Sequence, residues 1–335
     1  MLFSANKPKN QQQQAEIDLD SINSDGINVS MEELIQYQNK SSLIDLTPRK
    51  SLHNKMSGTY LARSKGRGME FDEVRHYQTG DDIRAIDWRV TARTGKTHTK
   101  LFREEVERPV LIATDLSSKM LFGSRLLFKS VQAAHIASIV AWHAKGRGDR
   151  VGGIVFNQSS HTELKPRSRK EGVLHYLHAL VQSHKQAISI ESNDQANSTE
   201  ENSDSSLNDN CVRIRKLAHP GSLVYLITDG SDLNEDGIRH LSQVSRHCEL
   251  VICLVTDQLE HELPQISHKV NVSVTDGTNI NSLTLGDKKT SEDYKYRTQL
   301  RHLALNKVLV KSGARVVSFS AGETLESQLK SKLAS

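Results

Sequence analysis

The sequence predicts an α/β fold: a doubly wound, mostly parallel sheet preceded by a β-rich module. After residue 109, strand-length apolar runs alternate with helix-length segments. Two of these runs, residues 110–114 and 223–228, are continuous, and each is followed directly by an aspartate. Continuous apolar runs of this length are typical of central parallel strands that are covered on both faces.

Three regions of different composition divide the chain. Residues 1–29 are rich in Gln and Asn and lack periodicity, which predicts a disordered tail. Residues 30–108 begin with a short helix, opened by the capping-box pattern of Ser30 and Glu33, and continue as a basic, β-rich module. Residues 109–335 form the α/β domain, and the acidic stretch 189–210 within it is expected to be a solvated insertion.

Apolar patterning places the elements of the α/β domain in order. The predicted strands are 110–114, 151–156, 223–228, 250–256 and 315–319, and the predicted helices are 125–145, 171–183, 294–310 and 324–333. The helix at 125–145 is apolar around much of its circumference, so we expect it to be buried.

Composition excludes several classes of function. The 44 basic and 40 acidic residues are too evenly balanced to indicate a nucleic-acid binder. Three cysteines without a CxxC pair predict reduced thiols and no zinc site. The apolar runs are too short to span a membrane, and the amino terminus does not resemble a signal peptide, so we expect a cytoplasmic protein.

Two carboxylates stand at the ends of predicted buried strands, Asp115 and Asp229. Ligand sites of open parallel sheets form outside the carboxyl ends of the strands. A magnesium ion there needs oxygen ligands, and Asp115 with Ser117 on one loop and Asp229 on another are the candidates. The alternative is that both aspartates cap the helices that follow and bind nothing.

The surroundings of these residues resemble known families. Asp115-Leu-Ser117 is similar to the Asp-x-Ser-x-Ser motif of the metal-ion-dependent adhesion site in von Willebrand factor type A domains. The chain also resembles the domain of unknown function 58 family, densely over residues 58–183. The motifs that carry this resemblance are 64–71, 74–77, 80–84, 86–93, 102–105, 115–123 and 148–152.

The resemblance implies a von Willebrand factor type A-like fold and a non-enzymatic adaptor role beside a MoxR-type AAA+ ATPase, in assembly or maturation of other proteins. It implies Mg²⁺ at a degenerate site made by Asp115, Ser117 and Asp229. Lys119 stands where the motif has its second serine, and its ammonium is expected to approach the two aspartates in place of the cation. The alternative is that Lys119 points to solvent and a cation still binds through Asp115, Ser117 and water. Lys119 and Ser118 are therefore expected to modulate the site or contact a partner.

A rival function is a divalent-metal-dependent phosphoesterase or nuclease that uses Asp115 and Asp229, with Asp81 or Asp82 as a further carboxylate. Against it stand the lysine at 119 and the absence of another carboxylate at a strand end. The interleaved arginines of residues 80–93 predict instead a structural, salt-bridged turn with Trp88 packed beneath it.

Overall fold

The computed structural model describes residues 9–44, 69–104, 107–194, 207–264, 266, 268–275 and 280–334. The chain divides into two compact units, Met1–His53 with Arg108–Ser335, and Asn54–Glu107. The short helix at the start of the predicted 30–108 region therefore belongs to the α/β unit, so that boundary is wrong. The motif residues 64–68 lie outside the described residues.

The α/β unit begins with two helices, of which the sequence predicted only the second. Helix α1 spans Lys9–Ile22 and helix α2 spans Met31–Gln36. The capping box of α2 is confirmed, since the Ser30 hydroxyl accepts from the Glu33 amide and the Glu33 carboxylate accepts from the Ser30 amide. The tail prediction is wrong for residues 9–29, because Ile22 and Val29 are buried in the main core. Residues 1–8 lie outside the described residues.

The smaller unit contains an antiparallel pair of strands with a helix between them. Strand β1 is Met69–His76, helix α3 is Trp88–Thr94 and strand β2 is His98–Glu104. The structure thus contains the β-rich element that the sequence predicted here. Trp88, however, is 68% exposed, so the prediction that it packs beneath the turn is wrong.

The carboxylates of this unit have structural roles. Asp82 and Asp87 accept from backbone amides at the starts of a 3₁₀ turn and of α3. Asp81 pairs with Arg75 at 2.7 Å. The ion pairs of Asp81 and Asp87 come from the strand residues Arg75 and Lys100, and not from the interleaved arginines.

The α/β unit is built on a six-stranded sheet and confirms the predicted fold class. Its strands are β3 Pro109–Asp115, β4 Arg150–Phe156, β5 His161–Arg167, β6 Leu223–Thr228, β7 Glu249–Thr256 and β10 Arg315–Ser320, with a separate hairpin of β8 Val270–Thr275 and β9 Ile280–Leu285. The strand order is β10-β7-β6-β3-β4-β5, parallel except for the antiparallel edge strand β5.

Helices cover both faces of this sheet. They are α4 Lys129–Gly146, α5 Arg169–Asp194, α6 Leu207–Leu217, α7 Glu235–Val244, α8 Lys288–Lys311 and α9 Leu325–Ala334. Alternate residues of β3 point to opposite faces: Val110 and Ile112 into the core with α4, and Leu111 and Ala113 into the core with α6 and α7. Each face of the sheet thus has its own core, as a doubly wound fold requires.

The expected acidic insertion is shorter than residues 189–210. Helix α5 continues to Asp194, and α6 begins at Leu207. Leu207, Cys211 and Ile214 are buried at helical spacing, so the carboxyl end of the stretch is part of a core helix. Residues 195–206 lie outside the described residues.

Candidate functional site

The first carboxylate of the candidate site is buried at the end of β3. Asp115 accepts hydrogen bonds from the Thr228 hydroxyl at 2.7 Å and from the Ser117 amide at 3.0 Å. The parallel register of β3 and β6, with Thr114 opposite Ile227, brings these groups together. Burial raises the pKa of Asp115 to about 6, and the negative charge of Asp229 adds to the shift, against the opposing effect of the Thr228 hydrogen bond.

The second carboxylate is paired with a buried lysine. Lys129, the first residue of α4, has a side chain only 2% exposed, and its ammonium lies 2.8 Å from Asp229 and 2.6 Å from Glu260. Burial opposes ionisation of Asp229, but Lys129 outweighs it and holds the pKa of Asp229 below its ordinary value. Burial likewise disfavours the charged lysine, and the two carboxylates keep the pKa of Lys129 above its ordinary value.

The prediction that the Lys119 ammonium approaches Asp115 and Asp229 is wrong, whereas its predicted contact with a partner stays a prediction. Its ammonium pairs with Asp232, and the two side chains are about half exposed, at 54% and 47%. The cause is the 3₁₀ turn Ser118–Met120, which buries Met120 and leaves Ser118 and Lys119 on the outside. The counter-charge that the sequence assigned to Lys119 is supplied by Lys129, ten positions further along the chain.

Contacts between loops join the ends of three strands into one rim. The amide and hydroxyl of Ser124 donate to Asp257 at 2.9 and 2.5 Å, which ties the loop after β3 to the loop after β7. Lys119 and Asp232 tie the loop after β3 to the loop after β6. We call residues 115–129, 229–234 and 257–260 the carboxyl rim.

The carboxyl rim does not fit a divalent cation as it is arranged. Asp115 and Asp229 lie on neighbouring strand ends, as predicted, and Ser117 lies beside Asp115. Asp229, however, already carries the ammonium of Lys129, which a dication would have to displace. Across the described parts of the chain, no group of three or more His, Cys, Asp or Glu side chains is placed to hold a metal ion. The further carboxylates of the rival function, Asp81 and Asp82, bind Arg75 and backbone amides in the smaller unit.

A groove of about 420 Å³ opens beside the carboxyl rim. It is lined by Asp229 and Glu260, by the apolar side chains of Leu233 and Ile238, and by residues of α8. Gly230 forms the turn between Asp229 and this wall with φ +72°, a left-handed conformation that glycine adopts without strain. The groove therefore joins the charged rim to an apolar surface.

Fold and site together define a doubly wound α/β protein in which a buried lysine pairs with one of two neighbouring strand-end carboxylates. The chain belongs to the family described as Protein of unknown function DUF58, whose model matches residues 73–303, more than half of the chain. This match confirms the resemblance to that family. The von Willebrand factor type A likeness and the MoxR association stay predictions.

Similar proteins extend the comparison without assigning an activity. Uncharacterized protein Rv1480 of Mycobacterium tuberculosis and uncharacterized protein Mb1516 of Mycobacterium bovis are each 30% identical over 128 residues, 38% of this chain. The chain matches 40% of the length of these curated relatives.

Two solved structures are similar over 68% of this chain and 98% of their own. They are BatB from Bacteroides thetaiotaomicron, 14% identical with a TM-score of 0.39, and an aerotolerance-related membrane protein from Bacteroides fragilis, 12% identical with a TM-score of 0.37. In the present chain, no helix among the described residues combines the length and apolar character needed to cross a bilayer.

Proposed function

We propose that this protein is a non-enzymatic adaptor that binds a partner protein through its carboxyl rim. The observation that carries the proposal is that charged side chains of the carboxyl rim form ion pairs with one another. Lys129 pairs with both Asp229 and Glu260 from within, and Lys119 and Asp232 connect two loops at the surface. The partner we propose is a MoxR-type AAA+ ATPase, with a role in assembly or maturation of other proteins, as the family resemblance implies.

A rim tied together in this way is suited to recognition. Loops that are held before binding lose less conformational entropy when a partner docks. The carboxyl ends of parallel strands are also where α/β proteins most often place binding residues. Ser118, Lys119 and Asp232 project from the rim and are the side chains we assign to the partner contact.

The rival function, a metal-dependent phosphoesterase or nuclease, has less support. Such an enzyme uses its cation to activate water and to stabilise charge. In this rim the positive charge at Asp229 comes from a lysine, which cannot coordinate water as a metal does. The Asp115 carboxylate oxygens already accept hydrogen bonds from the Thr228 hydroxyl and the Ser117 amide, within the protein.

Calorimetry with a purified MoxR-type ATPase from the same genome, held in an ATP-analogue state, tests the proposal. Lys119→Glu places a negative charge beside Asp232, so we expect affinity to fall at least about tenfold, or 1.4 kcal/mol. The matched control is Lys170→Glu, an exposed charge reversal at the amino end of α5, where affinity should not change. Absence of binding by the native chain, or equal losses in both variants, contradicts the proposal.

A further inference from the structure

Helix α8 packs against its own unit along one narrow face. All 24 of its residues are described, and only Leu309 is buried. Four half-buried residues precede Leu309 along the helix, at spacings of four, four, three and four: Tyr294, Thr298, His302 and Leu305. These spacings mark a single helical face, so the remaining circumference of α8 is open to solvent.

A second apolar stripe lies on the opposite face of α8. Tyr296, Leu300, Leu303 and Val310 are 64, 49, 65 and 56% exposed. At 3.6 residues per turn they align with one another and point away from the buried face, over a length of about 21 Å. A surface helix that contacts only its own domain has one apolar stripe. The second stripe indicates a partner on the outer side, as contiguous exposed apolar surface does in general.

Residues of α8 line two grooves, and one of these grooves shares a residue with the stripe. The groove of about 420 Å³ beside the carboxyl rim is bounded by Leu305 and Val308 of α8. A second groove, of about 440 Å³, is lined by Leu303 and Asn306 of α8 and by Leu254 and Ser318 of the sheet. Leu303 belongs to both the stripe and the second groove, so a ligand lying on the stripe has a pocket beside it for an inserted side chain.

The charge of α8 indicates the chemistry of the partner. The helix contains seven Lys and Arg residues and two acidic residues, a net charge of +5 (7 − 2). Lys295 pairs with Glu262, while Arg297 and Lys307 are exposed, and Lys307 lies between Leu303 and Val310 at helical spacing. A net charge of this size attracts an acidic surface and repels the same helix of a second copy.

We propose that the outer face of α8 is a docking surface for an acidic amphipathic helix of a partner protein. Leucine-like side chains of the partner would lie on Tyr296, Leu300 and Leu303, and its carboxylates would reach Arg297 and Lys307. This surface is distinct from the carboxyl rim, and the two together give the protein the separate contacts that an adaptor uses. A helix fits these observations better than a lipid surface, because a bilayer leaves concave grooves unfilled.

Two synthetic helical peptides test the proposal by fluorescence anisotropy with the full chain. Both carry leucines at helical spacing, and the other exposed positions are Glu in one and Lys in the other. We expect the Glu peptide to bind at least about tenfold more tightly than the Lys peptide, and its affinity to fall as salt is raised. Leu300→Ser with Leu303→Ser should weaken the Glu peptide at least about tenfold. Ile17→Ser, at a 61% exposed position of α1, is the control and should not change binding.

Several outcomes overturn the proposal. They include no binding of the Glu peptide, equal binding of the two peptides, and affinity that is unchanged in the Leu300/Leu303 variant. Self-association in sedimentation that the same variant abolishes would assign the stripe to a second copy. Co-flotation with phosphatidylcholine vesicles containing phosphatidylserine, lost in that variant, would assign it to a membrane. Circular dichroism melts of the variant and the native chain should coincide, because the substituted side chains are exposed.

Discussion

Replacing Lys129 by methionine should reveal how strongly the carboxyl rim depends on one internal cation. Methionine keeps most of the length of the side chain and removes the charge. The substitution leaves Asp229 without its buried partner and Glu260 without its closest cation. We expect a large loss of stability and a new response to magnesium.

The size of the loss follows from the burial of the three side chains. Removing one partner of a buried ion pair costs about 3–5 kcal/mol. The Asp229 side chain is 9% exposed, whereas that of Glu260 is 33% exposed and is partly screened by water. The expected loss in free energy of unfolding is therefore near the lower end, about 3 kcal/mol.

Urea denaturation followed by tryptophan fluorescence measures this loss. Trp142 is buried in α4 and donates to the Leu34 carbonyl oxygen, so it reports on the α/β unit, and a Trp88→Phe background removes the signal of the smaller unit. Lys119→Met is the matched control: its ion pair with Asp232 is exposed, and its loss should cost less than about 1 kcal/mol.

Magnesium gives the same reasoning a second readout. With Lys129 replaced, Asp229 and Glu260 lose their buried cation. Mg²⁺ at a hundredfold excess over its Kd should then restore about 2.7 kcal/mol. The native chain and Lys119→Met should not respond. A Lys129→Met variant within about 1 kcal/mol of the native chain, or equal stabilisation of both by Mg²⁺, would refute the internal-cation account.

Two further predictions concern the α/β unit away from the rim. Burial lowers the pKa of His184 to about 4, so between pH 6.5 and 4 the unfolded chain binds a proton that the folded chain excludes. The free energy of unfolding therefore decreases by about 3 kcal/mol from this residue alone as the pH is lowered. In urea titrations at pH 7 and pH 4, the loss of stability should be smaller by that amount in His184→Gln than in the native chain. Equal losses in the two proteins would contradict the prediction. Ile22→Ala should lower the free energy of unfolding by about 2–4 kcal/mol, measured by thermal or urea unfolding. Ile17 is exposed on the same helix, and Ile17→Ala should lower it by about 0.5 kcal/mol or less. Similar losses in both variants would mean that α1 does not pack as described.

The central fold was accessible from the sequence because its strands are buried on both faces. Apolar runs located β3, β4, β6, β7 and β10 to within one or two residues. The first four of these strands are buried along nearly their whole length. The edge strand β5 was missed because Leu164 is its one buried residue, which leaves no apolar run to detect. Helix α1 was missed because, among its side chains from residue 14 onward, only Ile22 is fully buried, with Ala15 and Leu19 partly buried against the core.

The candidate site was accessible only in part for a similar reason. Asp115 and Asp229 were found because strand ends converge at one edge of a parallel sheet. Lys129 lies inside the predicted buried helix 125–145, where a lysine gives no sign of which carboxylate it meets. Glu260 comes from the loop after β7 and pairs with it across 131 positions of the chain. Pairing between distant loops is decided by the fold and leaves no local pattern.

Hydrogen–deuterium exchange with and without the MoxR-type ATPase tests the central claim most directly, because it locates the contact on the chain. The adaptor account predicts slower exchange in the three loops of the carboxyl rim when the ATPase is bound, at residues 115–129, 229–234 and 257–260. It also predicts that Lys119→Glu reduces this protection while Lys170→Glu leaves it intact. Unchanged exchange throughout the carboxyl rim at saturating ATPase, with the rest of the chain protected or not, would contradict the claim.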